Sequence, residues 1–118
     1  MEKKKYLYVS RSPQATGEQK YIEMAEKILD FLLTCDDSFY SYFLSHKCAY
    51  GASLIALATG KRKYREMSAR VARYLLSCQT AAGSFDLGLP PMGTLDQTAE
   101  IGTWLKEIGL AFVRADCK

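Results

Sequence analysis

The sequence predicts an all-α chain, two antiparallel helical hairpins preceded by a short extended arm. Two observations carry this reading. The segment Phe31-Leu32-Leu33-Thr34-Cys35 recurs as Tyr74-Leu75-Leu76-Ser77-Cys78, each at the end of a stretch with helical apolar spacing. Each copy is followed by a turn with a Ser-Phe pair, Ser38-Phe39 or Ser84-Phe85, and then by a mostly apolar stretch with a glycine in its first half, Gly51 or Gly102. A unit that recurs with its turn and its glycine marks an array of helical hairpins. The 118 residues leave room for one domain with one modest core, and 48% apolar against 25% charged residues is an ordinary globular balance.

Residues 1–17 read as the arm and 18–118 as the folded domain. Lys5-Tyr6-Leu7-Tyr8-Val9-Ser10 has the composition of a short strand, and Arg11-Ser12-Pro13 breaks it. The first helix is expected to start near Thr16, with Thr16 and Gln19 as a capping box. Tyr21, Ile22, Ala25, Ile28, Leu29 and Leu32 recur at helical spacing while Glu23, Glu26, Lys27 and Asp30 fall opposite, the pattern of a one-sided outer helix. Asp36-Asp37-Ser38 reads as a turn, and the aromatic run Phe39, Tyr40, Tyr42, Phe43 fills the connection.

The second helix runs from Ser45 to Thr59 and stops at Gly60, a natural C-terminal residue. It is apolar or small nearly all round and therefore belongs inside. The third, Lys63 to Gln79, carries the stripe Tyr64, Met67, Val71, Leu75, Cys78, with Arg65, Glu66, Arg70 and Arg73 solvated. A long loop, Ala81 to Gly93, leads to a fourth helix from Thr94 to Val113. There Leu95, Ala99, Gly102, Leu105, Gly109 and Phe112 make one face, flat at its two glycines and open to close helix approach; Ile101, Trp104 and Ile108 add a second. The order is outer, inner, outer, inner.

Net charge is +3, with basic clusters at Lys3-Lys4-Lys5 and at Lys61-Arg62-Lys63 with Arg65. The second cluster opens an amphipathic helix, so it reads as a solvated face, and no nucleic-acid partner is expected. Cys35, Cys48, Cys78 and Cys117 lack CxxC pairing and metal-ligand spacing with His46, the single histidine; neither a metal nor a cofactor is expected. Cys35 and Cys78, at equivalent repeat positions, read as buried small residues. No signal-peptide pattern opens the chain, which favours reduced thiols and a cytoplasmic location. The longest apolar run, Cys48 to Thr59, is too short to cross a bilayer.

Tyr74-Leu75, Gln79 and Gly83-Ser84-Phe85 together resemble the glutamine–tryptophan repeat of terpenoid cyclases, with Phe85 in the tryptophan position. In that motif the glutamine near a helix end bonds orphan carbonyls or the next turn while the aromatic covers it. Similar signatures occur in protein prenyltransferase β subunits, thioester-containing domains and α/α-barrel glycosidases and lyases. Over residues 18–113 the chain thus resembles part of an α/α toroid. The resemblance implies a partial toroid module related to isoprenoid- or carbohydrate-processing enzymes, and a carbohydrate or isoprenoid ligand. The Asp-x-Asp-Asp acid motif, the Asp-x-Cys zinc pair and the Cys-Gly-Glu-Gln thioester are all absent, so no complete catalytic set is carried over. Complete toroids use many more helices than are read here, which points to a homo-oligomer, a partner chain or a longer parent completing the ring.

Toroids bind ligands at one end of their inner helices, which by analogy directs attention to the starts of the second and fourth helices. Asp96 and Glu100, four apart, are the candidate catalytic pair for acid/base work on a glycan, as a small oligomeric hydrolase, lyase or epimerase. His46, Tyr50, Tyr42 and Trp104 are the candidate ligand-binding residues. The competing readings are a solvated face for Asp96 and Glu100, a structural hydrogen bond for His46 and a core position for Trp104. The remaining alternative is a protein-interaction module that presents its inner helices to a partner.

Overall fold

A computed structural model describes residues 19–117; the arm and the Thr16 cap lie outside the described residues. Four α-helices follow in order: α1 (Gln19–Leu33), α2 (Ser45–Thr59), α3 (Arg62–Ser77) and α4 (Pro91–Asp116), with a 3-10 helix, Asp37–Ser41, between α1 and α2. No strand occurs among the described residues; the nearest approach is an isolated antiparallel bridge between Gln79 and Phe85. The described residues are all-α, as the apolar spacing predicts.

α2 is the hub. It packs against α1, α3 and α4, and α3 also meets α4. Small residues make this possible: Ala49 and Ala52 are fully buried, and the Ser68 hydroxyl of α3 donates to the Ala49 carbonyl of α2 at 2.8 Å. Such a contact requires the two helices to approach closely. Gly60 closes α2 with φ 73°, a left-handed conformation in which its N–H bonds the Ala56 carbonyl, and only Lys61 then separates it from α3.

Two apolar clusters lie along α2. Leu29, Ala52, Ile55, Ala56, Tyr64 and Met67 form the first, with Phe39 and Tyr40 packed against it. Ala49, Val71, Leu75, Phe85, Ile101 and Ile108 form the second. Phe39 and Tyr40, the first half of the aromatic connection expected after Asp36, are wound into the 3-10 helix, whose entry is fixed by the Asp36 carboxylate accepting from the Ser38 N–H at 2.7 Å.

Several expectations need correction. α1 is not one-sided. Ile22, Ala25, Leu29 and Leu32 turn inward, whereas Tyr21 and Ile28 point outward with Met24 and Phe31. The helix is apolar on two faces, and periodicity alone merges them. α4 starts at Pro91 rather than Thr94, because a proline at the first helical position loses no internal hydrogen bond and already has the required φ. Its buried residues are Gln97, Ile101, Ile108 and Ala111, while Leu95, Ala99, Gly102 and Gly109 are exposed. A Cβ at either glycine would meet no atom within 4 Å, so neither supports a close approach among the described residues. Cys35 is exposed and Cys78 half-buried; all four cysteines are free thiols. No helix of the described residues is long and apolar enough to cross a membrane.

The basic cluster is occupied by the chain's own acids. Lys61 pairs with Glu26, Lys63 with Asp30, Arg62 with Glu66 and Arg65 with Asp116 in a two-pronged contact. Arg70 bonds Asp37 and lies over the Tyr40 ring at 3.9 Å. All but the Arg62–Glu66 pair, which lies within α3, join α3 or its cap to another element, and all leave fewer charges for an external polyanion.

Candidate functional site

The Gln79–Gly83–Phe85 segment closes the end of α3. Gln79 donates its side-chain amide to the Gly83 carbonyl at 3.1 Å, and Gly83 supplies the φ of 101° that the turn demands. Phe85 is buried in the second cluster, its N–H bonded to the Thr98 hydroxyl of α4. The segment therefore positions the first half of α4 against α2. That is where the chemistry-bearing side chains gather.

His46 begins α2 and is fully buried; Glu100 lies across from it on α4. The imidazole Nε2 and a Glu100 oxygen are 3.0 Å apart, and the Lys47 ammonium stands 3.4 Å from the same oxygen. His46 thus meets one of the two candidate carboxylates, in the hydrogen bond that its competing structural reading expects. One turn further along both helices, the rings of Tyr50 and Trp104 lie with centroids 4.5 Å apart and tilted by 34°. Each ring covers part of the other, so the two act as a packed pair rather than as separate platforms.

The remaining candidates are not drawn in. Tyr42 is exposed and sits against Phe43 with centroids 4.8 Å apart. Asp96 shares α4 with Glu100, about 6 Å of helical rise away, but it is exposed and accepts only from the neighbouring Gln97 amide at 3.4 Å. Two members escaped sequence reading. Lys47 adjoins His46 in the chain, and a helical lysine there would have been read as solvated. Gln97 is one turn before Glu100; it is buried, and its carbonyl oxygen, like His46 Nδ1, has no hydrogen-bond partner. A polar residue in the apolar phase of α4 is the signal that could have found it.

The electrostatics define what the group can do. The His46 contact, followed by Lys47, holds the Glu100 carboxyl below the usual carboxylate range. Glu100 is therefore an ionised acceptor rather than a proton donor. Because a carboxylate only accepts, His46 Nε2 must carry a proton. Nitrogen chemical shifts of the imidazole should report a protonated Nε2; a bare Nε2 would mean that the contact is wrong. Replacing Glu100 with alanine strands a buried donor and should cost about 1–3 kcal/mol in denaturant unfolding, a loss that Glu100→Gln largely avoids.

Among the described residues, no group of three or more His, Cys, Asp or Glu side chains is arranged to hold a metal ion. Comparison of this chain with protein-family models, with curated proteins and with solved structures gives no match.

Proposed function

We propose that this chain is a helical association module, a partial α/α array that works by presenting apolar helix surface to another protein and has no complete catalytic set of its own. One observation carries the reading. Tyr21, Met24, Ile28 and Phe31 are 43%, 56%, 62% and 66% exposed on the outward side of α1. Scattered exposed apolar residues are normal, but a contiguous row of four large ones is the mark of an interaction surface. The resemblance of the Gln79–Phe85 segment to a toroid turn, together with the nearly all-apolar α2 at the centre of the described helices, supports the reading as part of a larger helical array. In such an array a carbohydrate- or isoprenoid-processing relative would owe its cavity to helices beyond these.

The reading is tested by charge. A face that covers none of the described residues tolerates lysine, so Ile28→Lys and Phe31→Lys should each leave the unfolding free energy within about 0.5 kcal/mol of the parent. A loss above about 2 kcal/mol would place the stripe inside the fold and end the proposal.

A second reading, a small glycan-processing enzyme, gains from the His46–Glu100 contact. Against it, His46 is enclosed and cannot touch a substrate, and the lowered Glu100 carboxyl is the opposite of what a general acid needs. A glycan whose binding to the whole chain is abolished by Asp96→Asn and Glu100→Gln would restore it.

A further inference from the structure

We infer that the partner seated on the outward face of α1 is an amphipathic helix of a different protein, one whose apolar row is edged by carboxylates. The inference rests on the association reading above and names the chemistry of the occupant. On a helix surface, the neighbours of a side chain lie three and four positions away. For the row Tyr21, Met24, Ile28 and Phe31, the charged neighbours among the described residues are both lysines: Lys20 beside Met24, and Lys27 between Met24 and Phe31. Both are exposed, and the Lys20 ammonium stands 5.5 Å from the centre of the Tyr21 ring.

The acids of α1 are placed elsewhere. Glu26 and Asp30 turn towards α3 and its cap, where Lys61 and Lys63 hold them. Glu23 is exposed, but it lies three or four positions from the two lysines rather than from any member of the row, and so meets them from the solvent side. The face is therefore a strip of large apolar side chains with cations along one edge. Lys20 and Lys27 are separated by roughly 10 Å of helical rise. A helix lying alongside can meet both with carboxylates two turns apart.

Charges beside an apolar seam govern the choice of partner more than they add affinity. A second copy of this face would bring lysines to the same edge, with no carboxylate bordering its row. An anionic bilayer also draws cations, but recognition of that kind takes clusters of about four to eight. Two spaced lysines fit the acid-edged helix instead.

The test uses the full chain and three synthetic helices of about 20 residues, long enough to hold their fold. All share a leucine row at three-four spacing and carry glutamate, glutamine or lysine along its edges. In fluorescence anisotropy, with the chain titrated up to about 1 mM, the glutamate helix should bind at least about ten-fold more tightly than the lysine helix. The difference should shrink as salt is raised. Lys20→Glu combined with Lys27→Glu should reverse the order, which also shows that the variant is folded with its face intact. Ile28→Lys should abolish binding of the glutamate helix.

Equal binding of the three helices would overturn the inference, as would an order that the double variant leaves unchanged. It also falls if the glutamate helix does not bind; capture of the chain by vesicles of phosphatidylcholine and phosphatidylserine would then make a membrane the occupant. These failures differ from failure of the association reading itself. If Ile28→Lys and Phe31→Lys keep their stability while edge charge makes no difference, the face is still uncovered and its partner is chosen by apolar contact alone. If those variants unfold, the surface was never available.

Discussion

Truncating Leu75 to alanine is expected to remove about 2–5 kcal/mol of stability, the largest single loss among the substitutions considered. Leu75 is fully buried in the second cluster, where α3 meets Phe85 of the following turn and Ile101 and Ile108 of α4. The cavity cannot close readily, because Val71 and Ala49 beside it are also fully buried and the Gln79–Gly83 turn fixes the end of α3. A domain of this size commonly has about 5–15 kcal/mol in total, so the variant would lose a large share of it. Urea titration should show a lower midpoint with an unchanged slope. A loss under about 1 kcal/mol would mean that the seam between α3 and α4 is loosely packed.

Tyr64→Phe is the second large effect, and it should be felt in α1. The Tyr64 phenol is fully buried and donates to the Asp30 carboxylate at 2.8 Å, with Glu26 at 3.1 Å; Lys61 and Lys63 flank the same acids. Removing the hydroxyl deletes a hydrogen bond to a charged acceptor, for which about 1.5–3 kcal/mol is typical. Because Glu26 and Asp30 both belong to α1, amide exchange should quicken there while α3 and α4 keep their protection. Uniform loss across all helices, or none, would disprove this local tether.

The same cluster sets a pH dependence whose sign can be worked out. Lys61 and then Tyr64 hold the Glu26 carboxyl below its usual range, and Lys63 and then Tyr64 do so for Asp30. The folded values lie below the unfolded ones. The stabilisation is therefore complete above the ordinary carboxylate range and is lost as pH falls through that range towards the folded values. On the alkaline side, burial first and then the Asp30 bond push the Tyr64 phenol up. Its contribution is present below the ordinary tyrosine value and declines as pH rises past it.

How much of this was legible in the sequence depended on whether a decision was local. The ends of α2 were legible because Gly60 is a terminator by its own chemistry. The Gln79-to-Phe85 turn was legible because glycine, glutamine and an aromatic carry fixed tasks at fixed offsets. The inward face of α1 was not, since Tyr21 and Ile28 fit the same period as Ile22 and Leu29 and only the position of α2 separates them. The faces of α4 were half legible: Ile101 and Ile108 of the second face turn inward and Leu105 and Phe112 of the first pack against their cluster, but the two glycines read as flat contact points lie exposed and a glutamine is buried instead. His46 and Glu100 were each noticed, but their meeting spans 54 positions and follows from how α2 and α4 pack.

The two-residue joint at Gly60-Lys61 has a consequence for the order in which the chain folds. α2 and α3 are consecutive, meet closely, and are joined with almost no loop entropy to overcome. Their pairing is the lowest-contact-order event open to the chain, and so the natural nucleus. Conservative substitutions at Ala52 or Val71 are then expected to slow refolding nearly in proportion to the stability they remove. Those at Leu29, on the late-docking first helix, should mainly hasten unfolding.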